Sequence, residues 1–196
     1  MIDMNMMNEA NELFLKKKFE EAIEKYDIIL KNEPGNLVAL NNKGYSFSKL
    51  RNYSKSLICY DECLVKNPKD KTVLLNKISL FRKVGEFDKA LAICENLLKN
   101  NPDEMIVLYH KLRILKKLHK FSESNLICKK LLNVYPENGD ILFDMAGNFL
   151  NMNDNENFLL SLQKAVNIIP SLKIKSKNNK EFEAFYHNEK FLKIVS

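Results

Sequence analysis

The five prolines of the chain stand at equal distances along the sequence. They occupy positions 34, 68, 102, 136 and 170, so each gap is 34 residues, and there is no other proline. A fixed period of this length is typical of tandem helical repeats, which bury little surface alone and stack on their neighbours. With each proline at repeat position 32, the sequence divides into five repeats and a C-terminal segment. The repeats are 3–36, 37–70, 71–104, 105–138 and 139–172, and the C-terminal segment is 173–196.

Other repeat positions recur in phase with the prolines. Position 11 is always leucine or phenylalanine, position 17 is aromatic in four repeats, and position 20 is small in the same four. Apolar positions 4, 8 and 11 share one face of a first helix, and positions 17, 20, 24 and 27 share one face of a second. Proline cannot continue the second helix, so it ends each repeat. The pattern predicts ten helices, near 4–16, 19–31, 37–49, 53–65, 71–83, 87–99, 105–117, 121–133, 139–151 and 155–168.

These positions resemble the tetratricopeptide repeat family over most of the chain. The resemblance implies an all-α fold, a right-handed α-solenoid of five helix-turn-helix units with a C-terminal capping helix or helices. The fifth repeat departs from the pattern, since Asn155 replaces the aromatic and Phe158 replaces the small residue. Glu181-Phe182 and the later Phe191 resemble the capping segments that follow many such arrays. A free tail that binds a partner is the alternative for this segment.

Composition and motifs argue against several functions. The first fifteen residues contain acidic side chains and no leading basic cluster, which does not fit a signal peptide. No apolar run approaches the roughly 18 residues of a membrane span. We therefore expect a soluble cytoplasmic protein without membrane association. The four cysteines fall in second helices without metal-ligand spacing, which predicts buried, reduced thiols. No phosphate-binding glycine loop, histidine pair or catalytic group stands out, so we predict no enzyme activity, no cofactor and no metal.

The resemblance also implies where a ligand would bind. In the family, positions 2, 5, 6, 9, 12 and 13 of the first helices form a concave groove. Position 6 holds asparagine in three successive repeats, and amides both donate and accept hydrogen bonds along a peptide backbone. These asparagines either bind peptide or serve the fold alone. The candidate groove residues are Asn8, Asn11, Asn42, Tyr45, Asn76, Arg82, Tyr109, His110, Arg113 and Lys117.

The predicted function is a protein-interaction scaffold that binds an extended or helical peptide of a partner protein. The net charge of +6, concentrated in repeat four, favours an acidic partner. The carboxylate clamp of chaperone-binding family members is not expected, because only Asn11 and Asn42 match its five residues and every cation is missing. The alternative is a nucleic-acid-associated protein that uses the basic residues of repeat four. Weak association between copies of the chain is also compatible with such a surface.

Overall fold

The computed structural model describes residues 4–196, which are helical almost throughout and contain no strand. The first ten helices each have 12 to 14 residues. They are α1 (Met4–Leu15), α2 (Phe19–Asn32), α3 (Leu37–Lys49), α4 (Tyr53–Lys66), α5 (Lys71–Val84), α6 (Phe87–Asn100), α7 (Met105–Lys117), α8 (Phe121–Val134), α9 (Gly139–Asn151) and α10 (Asn155–Ile168). These bounds lie within one residue of the predicted helices, and the predicted all-α repeat fold is confirmed.

The chain divides into two compact units. The N-terminal unit is Met1–Ile93 and the C-terminal unit is Cys94–Ser196, with the boundary inside α6. In the N-terminal unit, each of the helices α1 to α4 packs on the helix that follows it in the sequence. In the C-terminal unit, α7 to α10 do the same. Packing of successive helices on each other is what a helical repeat requires to bury its apolar faces.

The turn between the two helices of each repeat uses a left-handed residue at position 15. Gly85 has φ 82°, and Asn153 has φ 59°. Lys17, Arg51 and His119 adopt φ values of 61°, 60° and 57° at the same position, although their side chains make this conformation unfavourable. The position therefore requires this conformation in every repeat, whatever residue the sequence provides.

Three of the four turns between repeats combine the proline with a side-chain helix cap two residues later. Asn36, Asp70 and Asn138 each accept a hydrogen bond from the backbone N–H three residues on, at 3.0, 3.1 and 3.0 Å. These bonds satisfy N–H groups that the first turn of a helix otherwise leaves unpaired. The proline thus ends one repeat, and the cap residue begins the next.

Small residues allow close helix contacts in the N-terminal unit. Ala22, Ser56 and Ala90, all at position 20, are completely buried. At Gly44, in position 8, an added Cβ would lie 2.8 Å from the ring of Tyr60. The close contact of α3 with α4 therefore requires a residue without a side chain at this point.

The C-terminal segment packs on the last two repeat helices. It contains α11 (Leu172–Lys177), a 3₁₀ helix (Lys180–Phe185) and α12 (Glu189–Val195). Phe182 and Phe191 are almost completely buried with Phe158, whose ring lies 5.0 and 6.3 Å from theirs. Phe158 therefore supplies the aromatic contact that Asn155, which is exposed, does not.

Candidate functional site

We call the residues at positions 2, 5, 6, 9, 12 and 13 of the first helices the first-helix face of a unit. In the N-terminal unit these helices are α1, α3 and α5, and in the C-terminal unit they are α7 and α9. Six of the ten predicted site residues lie in the N-terminal unit and four in the C-terminal unit.

A chain of side-chain amides runs from repeat to repeat in the N-terminal unit. Asn42 donates to the Asn11 carbonyl oxygen at 3.1 Å, and Asn76 donates to the Asn41 carbonyl oxygen at 2.9 Å. A longer bond of 3.4 Å from Asn41 to Asn42 joins the two pairs. The hydroxyl of Tyr26 also donates to Asn11, at 2.8 Å. Burial raises the pKa of this tyrosine, so its hydroxyl stays protonated and keeps donating.

These bonds use only part of the hydrogen-bonding capacity of the amides. Each carboxamide has two N–H donors and a carbonyl acceptor. Within residues 4–196, the Asn11 amide nitrogen and the Asn76 carbonyl oxygen make no hydrogen bond, and both residues are partly exposed. Asn8 is exposed and has no side-chain hydrogen bond in the same range. The asparagines thus connect adjacent repeats while leaving donors and acceptors for a ligand.

Sequence reasoning missed Asn41, which occupies position 5 rather than the repeated position 6. The signal was the adjacent pair Asn41-Asn42 on one turn of a first helix, since both positions belong to the expected groove. Val38, Asn41 and Thr72 also line a shallow cavity of about 190 Å³ where α3 and α5 begin. This cavity is adjacent to the amide chain, and it extends the candidate site towards the start of these two helices.

The other end of the face is aromatic and basic. The rings of Phe14 and Tyr45 lie 5.2 Å apart, and both side chains are partly exposed. The Lys49 ammonium lies 5.0 Å from the Tyr45 ring centre. Lys83 donates to the Ser48 hydroxyl at 3.0 Å. Arg82, a predicted site residue, is partly exposed next to Lys83 in the sequence and has an interaction partner of its own.

The first-helix face of the C-terminal unit brings its four predicted residues together on α7. Arg113 and Lys117, one helical turn apart, are exposed, as their positions predict. Tyr109 and His110 are partly buried. The Tyr109 hydroxyl accepts a 2.9 Å hydrogen bond from Asn138, the cap residue of α9, and burial raises the pKa of this tyrosine. Tyr109 therefore also fixes the start of the next first helix.

Much of the positive charge of repeat four is neutralised within the C-terminal unit. Lys116 lies 3.7 Å from both Asp144 and Glu181, and Lys111 lies 3.2 Å from Glu95. Lys120 and Lys130 also form ion pairs, with Glu123 and Asp103. The sequence predicted a basic patch here, but it contains fewer unpaired cations than the residue count indicates. Glu181 belongs to the C-terminal segment, outside the repeats, so the repeat pattern does not predict its ion pair with Lys116.

A second set of ion pairs recurs at the repeat spacing. Lysines at position 7 pair with the acidic residue at position 25 of the preceding repeat. The pairs are Lys43 with Asp27, Lys77 with Asp61, and Lys111 with Glu95. Because these lysines lie on the side of the first helix away from the candidate face, their charges connect repeats and are not available there.

Among residues 4–196, no group of three histidine, cysteine or acidic side chains could hold a metal ion. All four cysteines are buried, as predicted, and none forms a disulfide within these residues. In the same range, no helix has the length and apolar composition needed to cross a bilayer.

Comparisons with known proteins support the fold. No protein-family model matches the sequence, and no curated protein matches it. Solved structures do match. A tetratricopeptide repeat protein from Parabacteroides merdae is 20% identical, with TM-score 0.83, over 97% of this chain and 75% of that one. YrrB, described as a tetratricopeptide repeat protein with an unusual peptide-binding site, is 17% identical, with TM-score 0.73, over 90% and 92%. MamA from Desulfovibrio magneticus is 15% identical, with TM-score 0.78, over 85% and 94%.

The class of protein follows from these observations. The repeated helix pairs, the repeat-spaced contacts and the similarity to several solved structures define a tetratricopeptide repeat fold. At 15 to 20% identity the similarity shows the fold, and the partner of this chain has to be argued from its own residues.

Proposed function

We propose that the protein is an interaction scaffold whose first-helix faces bind an extended or helical peptide of a partner protein, in the cytoplasm. The observation that carries the proposal is the partly used amide chain of the N-terminal unit. Asn11 and Asn76 are held by bonds to Tyr26 and Asn41, and each still presents an unbonded polar atom. Side chains that are already ordered lose little conformational entropy when they bind, which favours binding.

The surroundings of the amide chain support a peptide ligand. The cavity beside Val38 and Thr72 fits a small side chain, and the Phe14–Tyr45 ring pair offers an apolar surface. A peptide needs backbone hydrogen-bonding partners and side-chain pockets together. The N-terminal unit has both on one face, without contributions from the C-terminal unit.

Nucleic-acid binding through repeat four has less support. Lys111, Lys116, Lys120 and Lys130 are paired with carboxylates, and phosphate binding would require separating these pairs. In addition, YrrB has this fold and is described as having a peptide-binding site. We therefore propose a protein partner and no catalytic role.

A matched pair of substitutions tests the face. Val38 on α3 and Ile58 on α4 are 56% and 58% exposed, so Val38→Arg and Ile58→Arg make the same chemical change on different faces of the N-terminal unit. Peptides are first selected from a random display library against the full chain, and their affinities are then measured calorimetrically. Val38→Arg should weaken binding about tenfold or more, because a bulky charge obstructs the cavity, and Ile58→Arg should leave it unchanged. The opposite pattern would place the binding surface on the second helices.

A parallel pair addresses the C-terminal unit. Ile106 on α7 and Leu126 on α8 are both exposed at the corresponding positions. If selected peptides bind this unit, Ile106→Arg should weaken them and Leu126→Arg should not. Selection of no peptide by the wild-type chain would contradict the proposed function as a whole.

A further inference from the structure

The lysines of the N-terminal unit fall into two groups with different surroundings. Lys43 and Lys77 are paired with Asp27 and Asp61, so their charges are neutralised. Lys49 and Lys83 lie on the same two helices, α3 and α5, at position 13 of their repeats. Within residues 4–196 neither has a carboxylate at ion-pair distance. Their positive charges are therefore available on the first-helix face.

Both of these ammonium groups have neutral partners on the first-helix face. Lys83 donates to Ser48 at 3.0 Å, and Ser48 is buried on α3, next to Lys49 in the sequence. The Lys49 ammonium lies against the Tyr45 ring. Partial burial, followed by the charge of Lys49, lowers the pKa of Lys83. Two cations that repel each other and lack a carboxylate favour an anion beside them, since it would offset both charges.

Helix ends explain the presence of the lysines only in part. Both lie in the last turn of their helices, where a positive charge interacts favourably with the helix dipole. That interaction requires no hydrogen bond to a neighbouring first helix and no aromatic neighbour. The cluster formed by Lys49 and Lys83 has both. Lys83 donates a hydrogen bond to Ser48 on the neighbouring first helix, and the rings of Tyr45 and Phe14 lie beside Lys49.

We propose that Lys49 and Lys83 bind a carboxylate side chain of a partner peptide, while a neighbouring apolar side chain of that peptide lies on Phe14 and Tyr45. This inference rests on the proposed function and adds the chemistry of the partner. The peptide has glutamate or aspartate within one or two residues of an apolar residue. Its acidic side chain accepts hydrogen bonds from both ammonium groups, which charged donors make strong.

The test compares two double variants that remove the same charge from the same two helices. Lys49→Met with Lys83→Met removes the cluster, and Lys43→Met with Lys77→Met removes the paired lysines. Methionine keeps a high helix propensity and a long unbranched side chain, so both variants should keep the helical circular dichroism of the wild type. A random twelve-residue peptide display library is selected against the full wild-type chain and against each variant.

The wild type should select peptides with an acidic residue beside an apolar one. The cluster variant should lose the acidic preference and bind the wild-type peptides about tenfold or more weakly. The control variant should keep the preference and bind within about twofold, because its lysines are already neutralised. The wild-type affinity should also fall as salt is raised, and this dependence should be smaller in the cluster variant.

Four outcomes would overturn the proposal. Peptides that show no acidic preference, or that bind the cluster variant as tightly as the wild type, would refute the carboxylate site and leave the scaffold function intact. Selection of no peptide would refute both. If the cluster variant binds a random single-stranded oligonucleotide more weakly than the wild type does, but binds acidic peptides equally well, the two lysines bind nucleic acid instead. If the double variant does not fold, Lys83→Gln alone gives the same comparison, with a smaller expected loss.

Discussion

Phe182 packs the C-terminal segment against α9 and α10, so Phe182→Ala should release that segment. The side chain is completely buried, and its ring lies 5.6 Å from that of Phe143, 5.0 Å from that of Phe158 and 6.3 Å from that of Phe191. Loss of the buried surface costs about 1.5–3 kcal/mol. Aromatic pairs add about 0.5–1.5 kcal/mol each, and the unfilled cavity adds more, so the total should approach the 3–5 kcal/mol that buried phenylalanine truncations cost.

This loss should be local, because repeat arrays unfold in parts. Native-state hydrogen exchange measures it directly. The free energy of opening should fall by about 3–5 kcal/mol for the amides of 172–195, with smaller changes in α7 and α8. Leu192→Ala on α12 is the control, since this side chain is 47% exposed and its loss should cost under about 1 kcal/mol. Equal effects of the two substitutions would refute the packing argument and favour a free C-terminal segment.

Three further predictions concern the folded state. Gly85→Ala should destabilise the protein by about 1 kcal/mol in urea denaturation. An added Cβ at this position contacts no other atom, so the cost comes from the left-handed φ alone. Gly35 has no positive φ, so Gly35→Ala should be nearly neutral. Burial raises the pKa of Cys59 and Cys63 to about 11, so these thiols stay protonated in the folded state at pH values where they ionise in the unfolded state. The free energy of unfolding should therefore fall as the pH rises from about 9 to about 11. This fall should be smaller in the Cys59→Ala variant. Ala90→Leu should cost about 1–3 kcal/mol of unfolding free energy, since Ala90 is completely buried; an unchanged denaturation midpoint would contradict the assigned repeat register.

Helix positions were predictable because they depend on local physics. The prolines fix the phase, and Gly85 and Asn153 mark the turns within repeats. The left-handed conformation of Lys17 and Arg51 follows from the same register, even though neither residue favours it. Repetition thus provides information that single residues do not, since one repeat predicts the backbone of the next.

The site was less predictable because side-chain partners depend on the contact between repeats. Position 6 indicated Asn42 and Asn76, yet the bonding partner of Asn76 is Asn41, at position 5, where asparagine does not recur from repeat to repeat. Similarly, the sequence does not distinguish paired Lys43 from Lys49, because the carboxylate of Asp27 comes from another repeat. The bonds that Asn42 makes to Asn11 and Asn41 also mean that truncation of its side chain should lower stability.

Mapping of the peptide contact shows whether a first-helix face binds a peptide. A peptide selected by display is added to the isotopically labelled full chain, and backbone amide shifts are followed by nuclear magnetic resonance. We expect the largest shift changes on α1, α3 and α5, centred on the residues around Asn42 and Tyr45. Changes confined to the outward second helices α2 and α4 would contradict it.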